Sequence, residues 1–215
     1  DLNLKRKFPK KNFISMLKQL KSFIVGLKPK KIVTVWENYS VSNTYEEKEK
    51  KLKSEIVTEF INQNNLPKIV DLGCNDGFYS KIATKNNTNY VVGFDYDSIS
   101  IDRSFNSLNK NQKNFLPLIF DATNPSSNIG WNEMERKSFN SRVNFDGLLA
   151  LAFEHHLTIA KNIPLQDAIN WMISLAPKGL IEFVPKNDET IKKMIKFKGD
   201  IFPNYNEENF KECIQ

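Results

Sequence analysis

Apolar positions change period along this chain. Phe13, Met16, Leu17, Leu20, Phe23, Ile24 and Leu27 recur at three- and four-residue intervals, which predicts an amphipathic helix over 13–27. Ile32 to Trp36 is a short strand-like run. A second helix is expected from near Tyr45, opened by a capping box at Thr44-x-x-Glu47, with Leu52, Ile56, Phe60 and Ile61 as its apolar face. Its Glu/Lys-rich outer face reads as solvated surface. From Lys68 onward, short apolar runs alternate with helical stretches. Runs at Lys68–Leu72, Tyr90–Phe94 and Phe115–Phe120 are separated by helices at Phe78–Asn86 and 98–109. A helix at 165–176, with Leu165, Ala168, Ile169, Met172, Ile173 and Ala176 inward, precedes another apolar run. This alternation predicts an α/β fold: a Rossmann-like, doubly wound, mostly parallel sheet with right-handed crossovers and N-terminal helices.

The run at Lys68–Leu72 ends in Val70-Asp71-Leu72-Gly73-Cys74-Asn75-Asp76-Gly77-Phe78, an acid followed by a glycine-bearing turn and a helix start. Such a turn brings bare backbone and unpaired N–H groups to a ligand. Asp95, at the end of the next run and 24 positions after Asp71, is placed to hold ribose hydroxyls. A dinucleotide turn needs glycines spaced G-x-G-x-x-G, and the third is missing here. An acid inside the turn repels a pyrophosphate and suits a cation such as the amino group of a bound amino acid.

These features resemble motif I of the class I S-adenosylmethionine (SAM) methyltransferases, with Asn75 in place of their middle glycine. Asn tolerates the left-handed region better than most residues. Asp95-Tyr96-Asp97 resembles motif II. Phe120-Asp121-Ala122 resembles motif III, whose acid meets the adenine amino group. Asn144 to Leu151 followed by Glu154-His155-His156-Leu157 is similar to motif IV, which opens onto the methyl-transfer site. Pro177 to Phe183 resembles the fifth-strand turn. The segments Asn124-Pro125-Ser126, Ile129-Gly130-Trp131, Glu135-Arg136 and Glu182-Phe183-Val184-Pro185-Lys186 are similar to the NoeA-like nodulation-type methyltransferases. The resemblance implies SAM as cofactor, held by Asp71, Gly73, Cys74, Asn75, Gly77, Phe78, Asp95, Tyr96, Asp121, Ala122 and Ala150. The sixth and seventh strands of that family have no counterpart before Gln215. Asp188–Phe197 and Asn206–Ile214 read as helices instead.

Charge is unevenly placed. Residues 1–31 hold ten Lys/Arg against Asp1 alone, and the remainder holds 21 basic and 24 acidic residues. The alkaline balance belongs to an N-terminal arm, so the chain is organised as an arm and possible lid over 1–44 and a SAM-binding domain over 45–215. Trp36, Tyr39 and Tyr45 are candidates for that lid. A nucleic-acid partner is disfavoured, because the catalytic body is not basic. The arm could instead touch a membrane surface peripherally or pack on its own domain. Cys74 and Cys213 make no disulfide framework. No run reaches transmembrane length and no secretory signal is evident, so a cytoplasmic setting is expected. The start at Asp1 suggests a trimmed chain or part of a longer protein that carries other domains.

His155 and His156 are the two histidines, beside Glu154. An imidazole can take a proton from an acceptor hydroxyl. Successive helical residues point about 100° apart, so at most one would face the methyl group. No metal is expected, since three sequential residues cannot converge and no further His completes a shell. Trp131 and Arg136, in the long connection Thr123–Asn144, are candidate acceptor contacts. The Asn/Asp-Pro-Pro-aromatic pattern of amino-directed nucleic-acid enzymes and a Pro-Cys nucleophile are both missing. O-methylation of a small-molecule or glycan-like acceptor is the expected activity. An RNA methyltransferase and a non-catalytic SAM-binding interaction domain are the alternatives.

Overall fold

The computed structural model describes residues 8–28, 47–86, 88, 90–108 and 113–214. The predicted run Ile32–Trp36, the capping residue Thr44 and the aromatics Trp36, Tyr39 and Tyr45 lie outside them. The chain divides into two units, Asp1–Val33 and Thr34–Gln215. In the first, helix α1 (Lys10–Gly26) realises the three-and-four periodicity, and no residue of it is buried.

The second unit is built on five parallel strands: β1 (Lys68–Leu72), β2 (Tyr90–Asp95), β3 (Phe115–Ile119), β4 (Gly147–Ala150) and β5 (Gly179–Ile181). Their order in the sheet is β3-β2-β1-β4-β5. Each central strand alternates its side chains between two cores. Val70, Leu72, Leu148 and Ala150 face one, with Ile169 and Met172 of α7 (Leu165–Leu175). Ile69, Val91 and Leu149 face the other, with Val57 and Ile61 of α2 (Glu47–Gln63) and Ala83 of α3 (Phe78–Lys85). Helix α4 (Ser98–Asn106) is opened by the Asp97 carboxylate, which accepts from Ser100 N at 3.0 Å.

Two predicted helix faces are corrected by rotation, on α2 by about one residue position, roughly 100°. On α2, Leu52 and Ile56 are exposed, and the buried stripe runs through Val57 and Ile61. Continued toward the helix start, that stripe passes Lys53 and Lys50. On α7, Leu175 is buried and Ile173 is exposed. A 3.6-residue period fixes a face only to within a neighbouring position when apolar residues surround it.

The connection from β3 to β4 contains a 3₁₀ turn at Trp131–Glu133 and the short helix α5 (Phe139–Arg142). Phe139 anchors it, with its ring stacked on Phe120 at 4.5 Å. Helix α6 (Glu154–Thr158) follows β4 directly. After β5 come α8 (Glu189–Lys198) and α9 (Glu207–Ile214). Among the described residues no strand follows β5. The segment between these helices folds back instead, and buries Tyr205 against α6.

Candidate active site

Strand order reverses between β1 and β4, so the chain leaves the sheet in opposite directions there and opens a crevice at the carboxyl ends. The turn after β1 fits this crevice through its backbone. Gly73, Asn75 and Gly77 all have positive φ, at 72°, 49° and 77°. Asn75 therefore occupies the left-handed region that its identity favours. A Cβ on Gly73 would lie 2.7 Å from the Phe153 ring, and one on Gly77 would lie 2.6 Å from Phe115. The backbone N–H groups of Gly73 and Cys74 both donate to Phe94 O, at 2.8 and 3.0 Å. Asp95 closes the arrangement: Oδ2 accepts from Asn75 N and Oδ1 from Asp97 N, each at 2.8 Å.

Two cavities adjoin at Gly73. The first, about 110 Å³, is lined by Asp71, Gly73, Cys74, Asn75, Asp76, Phe78 and Tyr79 from the turn and α3, Leu151 and Ala152 after β4, and Lys50 and Lys53 of α2. The second, about 80 Å³, is lined by Leu72, Gly73, Phe94, Asp95, Tyr96, Phe120, Asp121, Ala122, Thr123, Phe153, His156, Leu157 and Lys161. Most of the sequence-derived cofactor residues line one or the other. Gly77 and Ala150 line neither; Gly77 sets the start of α3, and Ala150 is buried in β4 beside Leu72.

The charged groups are strongly conditioned by burial. Desolvation pushes the Asp71 carboxyl up to about 7, against the hydrogen bond that Ser80 Oγ donates to it. Burial also raises Asp95, although backbone donors stabilise its charge. Asp121 is lowered, chiefly because Thr123 Oγ1 donates to Oδ1 at 2.6 Å. The first cavity therefore offers a buried carboxylate to a cation, and the second offers carboxylates beside the aromatic wall of Phe120 and Phe153. Lys53 Nζ is tied to Glu182 at 2.7 and 2.8 Å, which fastens α2 beside the end of β5. Lys50 Nζ sits 4.4 Å from the Phe78 ring centre. From sequence both lysines belong to the Glu/Lys-rich face expected to be solvated. The helix rotation described above brings them to the cavity instead.

The structure separates the three motif IV candidates. Glu154 is fully buried and lines neither cavity. Its Oε1 accepts from Val184 N at 3.2 Å and lies 2.7 Å from Tyr205 Oη, which is also 2.6 Å from Val184 O. A phenol carries one proton. All three contacts are satisfied when the phenol donates to Val184 O and a protonated Glu154 donates to the phenol. Burial pushes the Glu154 carboxyl up to about 7, in keeping with that count. His155 is buried, and its Nδ1 has no hydrogen-bond partner among the described residues. His156 lines the second cavity, not the first. Their ring centres are 4.2 Å apart, and burial lowers them to about 3 and about 4. Both rings are neutral at pH 7 and weak as bases. Trp131 is 85% exposed, and neither it nor Arg136 lines a cavity. The backbones of Ile129 and Arg136 pair instead at 3.0 and 3.1 Å, closing the Trp131 turn on itself.

No protein-family model matches the chain. Nodulation protein NoeA of Rhizobium meliloti (strain 1021) is 46% identical over 210 residues, which is 97% of this chain. The chain is a homologue of NoeA. It spans 44% of the length of that relative, less than half. Among solved structures, the methyltransferase domain of bacterial CtHen1-C superposes with a TM-score of 0.51 at 14% identity, over 77% of this chain and 80% of that one. That likeness concerns the fold alone, a Rossmann-like α/β sheet. The N-methyltransferase NodS from Bradyrhizobium japonicum WM9, solved with S-adenosyl-L-homocysteine, gives a TM-score of 0.48 at 12% identity, over 73% of this chain and 66% of that one.

Proposed function

We propose that the chain is a SAM-dependent methyltransferase acting on a hydroxyl of a small-molecule or glycan-like acceptor. One observation carries the reading. Two cavities meet at Gly73, with a buried carboxylate at Asp71 in one and Asp95 and Asp121 in the other. That division matches a ligand with a cationic amino-acid end, a ribose diol and an adenine. Asp71 would hold the ammonium group, and Lys50 is positioned for the carboxylate. Asp95 would take the ribose, while Phe120, Phe153, Leu157, Asp121 and Ala122 enclose the base. Bound there, SAM supplies a methyl group already activated on a sulfonium.

The protein's task is then to align an acceptor and keep water out. The acceptor side is formed by Tyr79 of α3 together with Leu151 and Ala152, which directly follow β4. Ala152, which lines the cavity, has φ 50°, an unusual conformation for a non-glycine residue. Neither histidine reaches this side. His156 belongs to the adenosine enclosure, His155 is buried behind it, and Glu154 ties α6 to Val184 and Tyr205. Catalysis in this reading rests on alignment, with the hydroxyl proton taken by a basic group of the acceptor itself. The assay is transfer of labelled methyl from SAM into fractionated cell extract. Label in small-molecule or glycan fractions supports the reading. Label that is released by ribonuclease, or no transfer to any fraction, overturns it.

A further inference from the structure

No residue of helix α1 is buried, and its surface is highly organised. Phe13, Met16, Leu17, Leu20, Phe23 and Ile24 are each 45–66% exposed. At about 100° per residue they fall on one arc roughly 120° wide. Lys10 and Lys21 border that arc, and Lys11 and Lys18 stand farther round. No acidic residue occurs anywhere between Lys10 and Lys28. An exposed apolar stripe on a 17-residue helix loses favourable burial unless something covers it.

We propose that α1 is an interfacial membrane helix that lies flat on an anionic bilayer, apolar arc inward. The length, about 25 Å, suits a helix lying in the plane of the interface. The helix is not long and apolar enough to cross a membrane. Charge decides among possible coverings. A second copy of the helix would bring lysines against lysines. A nucleic acid would satisfy the lysines and leave six large apolar side chains in water. An anionic lipid surface satisfies both sets at once.

The test is co-sedimentation of the full chain with vesicles of phosphatidylcholine alone and of phosphatidylcholine mixed with phosphatidylglycerol. Binding to the mixed vesicles, weakened by salt and absent from the neutral ones, is the expected result. Lys21→Gln should lower partitioning about five-fold, the scale of one cation near such a surface. Leu20→Gln should weaken it at least as much. Both positions are exposed, and an unchanged far-UV spectrum checks that the helix persists. Four results would overturn the proposal: no binding to anionic vesicles, equal binding to both kinds, Leu20→Gln binding like wild type, or RNA retaining the chain more tightly than vesicles at the same salt.

Discussion

Glu154 sits in a fully buried cluster in which the contacts count protons, and replacing it with Gln tests that count. In the native state the acid is held protonated up to about 7, against 4.5 when exposed. A raised carboxyl leaves stability intact below pH 4.5. As pH climbs from there toward 7, the unfolded chain releases its proton and the native one does not, so stability falls. The total loss by pH 8 is about 3 kcal/mol. Glu154→Gln removes that loss. It also removes one hydrogen bond: an amide cannot both accept from Val184 N and donate to Tyr205 from one atom, a cost of about 1 kcal/mol. The variant should therefore match wild type near pH 5 and exceed it by about 2 kcal/mol at pH 8. Depressed His155 and His156 act in the opposite sense, adding stability above pH 6.5 that is lost on acidification, and this cancels in the difference between the two proteins. Urea unfolding followed by circular dichroism at pH 5, 6, 7 and 8 reads it. A pH-independent difference, or a variant much weaker than wild type at pH 8, would refute the protonated carboxyl.

Three further outcomes follow from the site. Because the Asp71 carboxyl titrates near 7, SAM affinity should fall as pH drops, approaching about ten-fold per unit below pH 7, and Asp71→Asn should flatten that dependence in calorimetry. Asp95→Ala should weaken SAM binding by about 1.5–3 kcal/mol and also lower the melting temperature, because the same carboxylate holds Asn75 N and Asp97 N; unchanged affinity in a folded variant contradicts the ribose assignment. His156→Ala should reduce SAM affinity with little change in saturated turnover, whereas a rate loss of about 10²–10⁴ at unchanged affinity would restore the imidazole as a general base.

Much of the fold was legible in the sequence because its signals are local. The strand-end acids Asp71 and Asp95, the positive-φ residues Gly73, Asn75 and Gly77, and the switch of apolar period each sit where the chain itself dictates geometry. The lysines of α2 were not legible. Whether Lys50 faces solvent or a cavity depends on helix rotation, which Leu52 and Ile56 misreport because they are exposed. The adjacent Glu154-His155-His156 looked like a catalytic cluster for a similar reason. Nothing local reveals that Tyr205, 51 residues later, folds back to bury the acid. Trp131 gives an equally ambiguous signal: an aromatic in a long loop can meet an acceptor or stand exposed on a turn, and only the fold shows that Ile129 and Arg136 pair around it.

The central claim is that the paired cavities at Gly73 hold an adenosine-bearing amino acid. Calorimetric titration of the full chain with S-adenosylhomocysteine tests it most directly, with NAD as the competitor for the same fold class. One saturable site for S-adenosylhomocysteine is expected, weakened by about 1.5–3 kcal/mol in Asp95→Ala, with no binding of NAD. Absence of heat with S-adenosylhomocysteine, or tighter binding of NAD, would contradict it.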